Sequence, residues 1–124
     1  MNMISKTPEP PYYAVIFTSV RTNGDNGYNE TAANMLKLAA AQPGFFGAES
    51  ARDINGKGIT VYYWESLEAI EKWKFHSEHR QAKEKGRTEW YSDFAVRVAK
   101  VEDARISERP GRLPSDGTSG EKMQ

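Results

Sequence analysis

The sequence predicts an α+β domain in which one antiparallel sheet carries helices on a single face, and three observations point to it. The hydrophobic pattern changes period in the order β-α-β-β-α-β. Turn residues punctuate it at Thr22–Gly27, Gln42–Gly44 and Ile54–Gly58. Two strand segments, near residues 12–17 and 59–64, are apolar on both faces. That element order is the signature of a ferredoxin-like sandwich.

The elements follow in turn. Tyr12 to Val20 (YYAVIFTSV) is aromatic and β-branched over a strand's length. Ala32, Met35, Leu36 and Ala39 then recur at helical spacing, with Asn29 as the expected cap and Gln42-Pro43-Gly44 as the stop. Phe45 to Asp53 reads as a strand weakened by Gly47. Asn55-Gly56 supplies hairpin chemistry before Ile59 to Trp64, the strongest strand signal. Ser66 caps a second helix whose inward residues are expected to be Leu67, Ile70 and Trp73. A polar helical stretch, Ser77 to Lys85, ends at Gly86, and Trp90 to Val101 forms the last strand. In that strand, alternation puts Asp93, Ala95 and Arg97 on the same face as Tyr91, with Asp93 and Arg97 spaced for an ion pair.

Composition narrows the function classes. The chain has 124 residues, 38% of them hydrophobic and 27% charged, which suits one soluble domain. Seventeen basic residues balance seventeen acidic ones, so the electrostatic footprint of a nucleic-acid or anionic-membrane binder is missing. Without cysteine there are no disulfides, thiolate metal sites or Cys nucleophiles. No apolar run reaches the roughly 18 residues of a membrane span, and the N-terminus has no signal-peptide core, so a cytoplasmic protein is expected. Residues 1–10 read as an extended lead-in, 11–102 as the folded domain and 103–124 as a flexible tail. Because helices cover one face of the sheet, its apolar underside calls for a second copy. A homodimer joined through the sheets is the expected assembly.

Pro43-Gly44-Phe45 before a strand, Trp64-Glu65-Ser66 after the next, and the block Trp73-x-x-His76-x-x-His79-Arg80 followed by Gly86-Arg87 and Trp90-Tyr91 form a recognisable series. Together they resemble the antibiotic biosynthesis monooxygenase superfamily over roughly residues 12–102. The resemblance implies dimeric ferredoxin-like subunits, each with a pocket between sheet and helices. Some members oxidise aromatic phenols with O2 and no metal or flavin, while others degrade haem or bind small molecules. The haem-degrading branch uses an Asn in the first strand, a Trp in the second helix and an axial His ten residues later. Here Trp73 matches, but Lys83 stands at the His position and Tyr12 to Val20 contains no Asn. The expected cofactor is therefore none, with haem held open only through His76 or His79 as a displaced ligand.

Oxygenation without a cofactor needs an apolar pocket for a flat substrate, a base, and donors that hold the resulting anion. Trp64, Trp73, Phe75 and Trp90 are the candidate walls, His76 or His79 the candidate base, and Arg80, Arg97 or Tyr91 the candidate donors. Each aromatic taken singly reads more readily as plain core than as a pocket wall. His76 and His79 at i, i+3 lack the third and fourth ligands a metal site needs. Gly56-Lys57-Gly58 is a turn, with no phosphate-loop motif around it. The expected activity is oxygenation of a small aromatic or quinol-like substrate. A non-catalytic ligand-binding or stress-related dimer is the second reading.

Overall fold

A computed structural model, which describes residues 4–107, shows a four-stranded antiparallel sheet in the order β2-β3-β1-β4. The strands are β1 (Tyr12–Arg21), β2 (Phe45–Arg52), β3 (Lys57–Trp64) and β4 (Tyr91–Val101). The helices are α1 (Tyr28–Ala40), α2 (Leu67–Lys74) and α3 (Ser77–Lys85). A π-helical turn, Gly86–Trp90, leads from α3 into β4. This is the α+β ferredoxin-like arrangement, with the second helical region divided in two. The tail expected at 103–124 lies outside the described residues beyond position 107.

Register assigns every strand residue to a face. Val15 stands opposite Tyr62 and Val98, and Phe17 opposite Thr60 and Val96. Directly opposed residues share a face. Val15, Phe17, Tyr62, Trp64, Val96 and Val98 therefore look one way, and Ile16, Val61, Tyr63, Ala95 and Arg97 look the other. The helices lie on the first face. Ala39, Trp64 and Trp73 form its buried centre, with Val15, Met35, Leu38, Phe45, Tyr62, Ala69 and Ile70 packed around them.

The helix details differ from expectation in instructive ways. α1 begins at Tyr28, one residue before the Asn29 expected to cap it. Asp25 organises this end by accepting the backbone N–H groups of Gly27 and Asn29, both at 3.1 Å. Its inward stripe is Tyr28, Thr31, Met35, Leu38 and Ala39, while Ala32 and Leu36 are exposed. Counting from Tyr28, these spacings of three and four hold one face. In α2, Ser66 caps as expected by accepting from Ala69 N at 3.0 Å. Leu67, however, is exposed, and Ala69 joins Ile70 and Trp73 in the core. A first-turn residue precedes the point where the helix closes onto the sheet.

On the opposite face the N-terminal segment crosses β2 at Gly47, where a Cβ would lie 2.7 Å from the Ser5 hydroxyl. Ser5 N donates to Glu49 Oε2 at 2.8 Å, and the Tyr63 hydroxyl donates to Glu49 Oε1 at 2.9 Å. Burial, then this bond to Glu49, pushes the Tyr63 hydroxyl up to about 12. A cleft of about 310 Å³ opens beside these residues. Farther along this face Ile59 is exposed and Ile16 and Val61 only half-buried.

Candidate functional site

The helix-covered face has a closed end and an open end. At the closed end Trp64 is 1% exposed and Trp73 9%. Their rings lie 6.2 Å apart, and Phe45 meets Trp64 edge-on at 5.0 Å. The space expected as a hollow between Trp73 and the sheet is filled by these rings, which places Trp64 and Trp73 in the core rather than on an open wall.

The two histidines gather on Trp73. His79 stacks on its ring at 4.7 Å, and His76 lies tilted at 5.2 Å. The helical run breaks between them and Trp73, since α2 ends at Lys74 with Phe75 as its C-cap and α3 begins at Ser77. His79 Nδ1 stands 3.1 Å from the Trp73 carbonyl oxygen. A carbonyl only accepts, so Nδ1 carries the hydrogen and Nε2 keeps the lone pair. Burial lowers the His79 pKa to about 4, against the opposing pull of that bond, and Lys83 and His76 lower it further. The ring is neutral near neutral pH. Phe75 and Arg80, the other candidates from this segment, are exposed.

At the open end, β4 leaves Phe94 47%, Val96 55% and Val98 52% exposed, although all three share the face on which the helices sit. Phe17 lies 5.2 Å from Tyr91 and 6.0 Å from Phe94. Tyr91 also meets the Tyr28 ring edge-on at 5.8 Å. Burial raises the Tyr91 hydroxyl well above the ordinary tyrosine range, reinforced by its hydrogen bond with Tyr28 and by nearby Tyr62. Burial also raises Tyr62, with Tyr28 adding to the effect. Tyr62 and Tyr91 thus stay protonated and remain hydrogen-bond donors at any working pH. Two exposed valines on β4, with the Phe17 and Phe94 rings packed on Tyr91, make a surface suited to a flat, partly polar ring.

A bulge explains why Tyr91 belongs here. Pairing slips between Val20 and Arg21, so that Val20 faces Asp93 while Arg21 faces Tyr91. The extra residue turns Tyr91 toward the helices and leaves Asp93, Ala95 and Arg97 on the far face, against the alternation expected from sequence. Arg97 is thereby separated from the other candidates. No Asp93–Arg97 ion pair forms among the described residues; Asp93 instead accepts from the Ser92 hydroxyl at 3.3 Å. Trp90 is buried in the π turn, donating from Nε1 to the Asn26 carbonyl at 3.0 Å, and its own carbonyl receives Thr22 N at 2.9 Å. It pins the β1–α1 loop to β4.

The structure brings together Trp64, Trp73, His76 and His79, and separately places Tyr91 at the open end. Sequence reasoning missed Tyr28, Tyr62, Phe17 and Phe94 as members of that end. The alternation of Tyr62 with Trp64 was an available signal; the π turn and the bulge, which bring Tyr91 and Tyr28 to it, left none. Among the described residues no group of three or more His, Asp or Glu side chains is arranged to hold a metal ion. The positions used by the haem-degrading branch do not fit either, because Lys83 replaces the axial His and β1 contains no Asn.

Comparison with known proteins agrees with this architecture. The sequence model of the antibiotic biosynthesis monooxygenase family matches residues 11–85. The uncharacterized protein YqjZ of Bacillus subtilis is 60% identical over 106 residues, covering 86% of this chain and 93% of that protein. Among solved structures, SnoaB, a cofactor-independent oxygenase from Streptomyces nogalater, superposes with a TM-score of 0.64 at 12% identity, covering 77% of this chain and 95% of its own. Protein SO0527 from Shewanella oneidensis gives 0.66 at 12%, covering 82% and 100%. At such identities the solved structures show a shared fold, whereas the family match spans more than half of the sequence. The chain belongs to the antibiotic biosynthesis monooxygenase family.

Proposed function

We propose that the protein is a cofactor-independent monooxygenase that oxidises a small aromatic or quinol-like substrate with O2. The observation that carries this reading is the open end of the helix-covered face, where Phe94, Val96 and Val98 stand exposed and Phe17 and Phe94 pack on Tyr91, whose hydroxyl is hydrogen-bonded with Tyr28. Membership of the family and the likeness to SnoaB support it.

The chemistry follows from the spin of oxygen. Ground-state O2 is a triplet and reacts slowly with closed-shell molecules, but an electron-rich phenolate can reduce it by one electron. The resulting radical pair recombines into a hydroperoxide. Loss of water then leaves one oxygen atom in a new carbonyl and the other in water, with all four electrons supplied by the substrate. In this reading the substrate binds as its phenolate, and His76, tilted on Trp73 at the closed end, does not touch it. His79, at about 4, is a weak base and serves instead as a neutral partner that positions Trp73 and its surroundings. Tyr91 donates to the developing anion, and the exposed apolar side chains hold the ring. Phe75, Trp90, Arg80 and Arg97 take no part. The working unit is a cytoplasmic homodimer, the apolar far face of each sheet covered by that of its twin. Light scattering should then report twice 14.0 kDa, and a monomer at micromolar concentration would refute the pairing.

Oxygen uptake tests the activity. With a panel of aromatic hydroquinones, the protein should consume O2 above the protein-free rate. Tyr91→Phe should lower that rate by about 100-fold or more, the usual contribution of a donor to a developing anion. Uptake equal to the control for every compound would leave the non-catalytic reading.

A further inference from the structure

Where the β1–α1 loop meets the β2–β3 hairpin, the structure opens a cleft of about 580 Å³. Two guanidinium groups, from Arg21 and Arg52, line it, with Tyr28 on its wall. Both are held in place by neutral acceptors. Arg21 donates to the carbonyls of Trp90 at 2.7 Å and Gly24 at 3.2 Å, and its Cζ lies 3.9 Å over the Tyr28 ring. Arg52 donates to the Ser19 hydroxyl at 2.9 Å and to the Ser19 and Gly56 carbonyls. A Cβ at Gly58 would stand 2.6 Å from Arg52 Cζ, so the bare glycine is what allows the guanidinium to lie against β3.

The charges of both arginines are left without an acid. The nearby carboxylates serve the backbone: Asp25 accepts from Gly27 and Asn29, and Asp53 from Asn55 and Lys57. Ion pairs among the described residues join Lys85 to Glu89, Arg87 to Glu84 and Arg105 to Asp103, and none includes Arg21 or Arg52. A guanidinium has five N–H donors, of which Arg21 uses two and Arg52 three in these bonds. Two positioned forks with donors to spare match the geometry of an oxyanion.

We infer that this cleft is an oxyanion subsite, and that the preferred ligand is an aromatic acid whose carboxylate or phosphate lies between Arg21 and Arg52. Tyr28 is shared by the cleft and the open aromatic end, so one molecule spans both. The ring half of this ligand rests on the oxygenase reading; the oxyanion half rests on the arginines.

Anaerobic titration followed by calorimetry and backbone amide shifts tests it without turnover, using naphthoate, naphthol and inorganic phosphate as probes. Naphthoate should bind about tenfold more tightly than naphthol, as a charge-assisted contact implies. Its shifts should centre on Gly24, Asn55 and Gly56, and phosphate should displace it. Salt should weaken naphthoate and leave naphthol unaffected. Arg52→Gln and, separately, Arg21→Gln should erase the preference, while Arg52→Lys should keep part of it. Measurable but equal affinity for naphthoate and naphthol, an undiminished preference in either Gln variant, or shifts elsewhere on the chain would overturn the subsite. Phosphate binding here with no affinity for either naphthalene would uphold the subsite and remove the aromatic groove, separating the two readings.

Discussion

At the α2 end of the sheet, indole and phenyl rings close over one another until Trp64 is almost fully hidden. A few residues away on the same face, Phe94, Val96 and Val98 stay about half in water. Both ends use aromatic and β-branched residues, so residue type does not decide the outcome; helix placement does. α1 packs on β2 and α2 on β3, whereas β4 is an edge strand entered through the π turn. Apolar surface left open beside hydroxyl donors is where a ligand gains from burial. Apolar surface already closed has nothing further to offer one.

The sharpest way to break this contrast is at its closed end. Trp64→Ala should cost about 3–5 kcal/mol in urea unfolding, the range for deleting a large buried aromatic. A loss below about 1 kcal/mol, typical of exposed positions, would mean that the indole is not the closing element. Next comes His79, which belongs to the closed end if its stacking on Trp73 buries it. Its folded pKa of about 4 lies below the ordinary 6.5. Between these values the unfolded chain binds more protons than the folded one, so stability falls as pH drops from about 6.5 to about 4. Above 6.5 this group contributes no slope. His79→Phe should flatten that part of the profile of unfolding midpoint against pH, and an unchanged slope would place the imidazole in solvent.

Much of this was legible in the sequence. The period changes gave the element order, and alternation in Ile59 to Trp64 separated Tyr62 and Trp64 from Val61 and Tyr63, as the register shows. The resemblance carried by Trp64, Trp73 and the histidine block pointed to the family. What escaped depends on events that a periodic pattern does not encode. One bulged residue at Val20/Arg21 reversed the face of Tyr91 relative to Arg97. The stripe of α1 followed from Tyr28, a residue placed outside the helix because Asn29 seemed the natural cap. Trp73 and Trp90 are equally aromatic on paper. Only tertiary packing tells that one carries two imidazole rings while the other pins a loop.

The smallest expected change in stability is also the one that bears most directly on function. Val96 is exposed on the open end, so Val96→Thr, which keeps the shape and exchanges a methyl for a hydroxyl, should shift the unfolding free energy by no more than about 0.5 kcal/mol. If the open end seats a flat ring, the lost apolar contact is worth roughly one methylene, so naphthol affinity should fall about fourfold. Stability and binding would then respond in opposite proportion to the Trp64 variant. Should Val96→Thr instead destabilise the fold by several kcal/mol, β4 is covered in solution by other protein surface. The groove would then be an interface, and no substrate could lie along it.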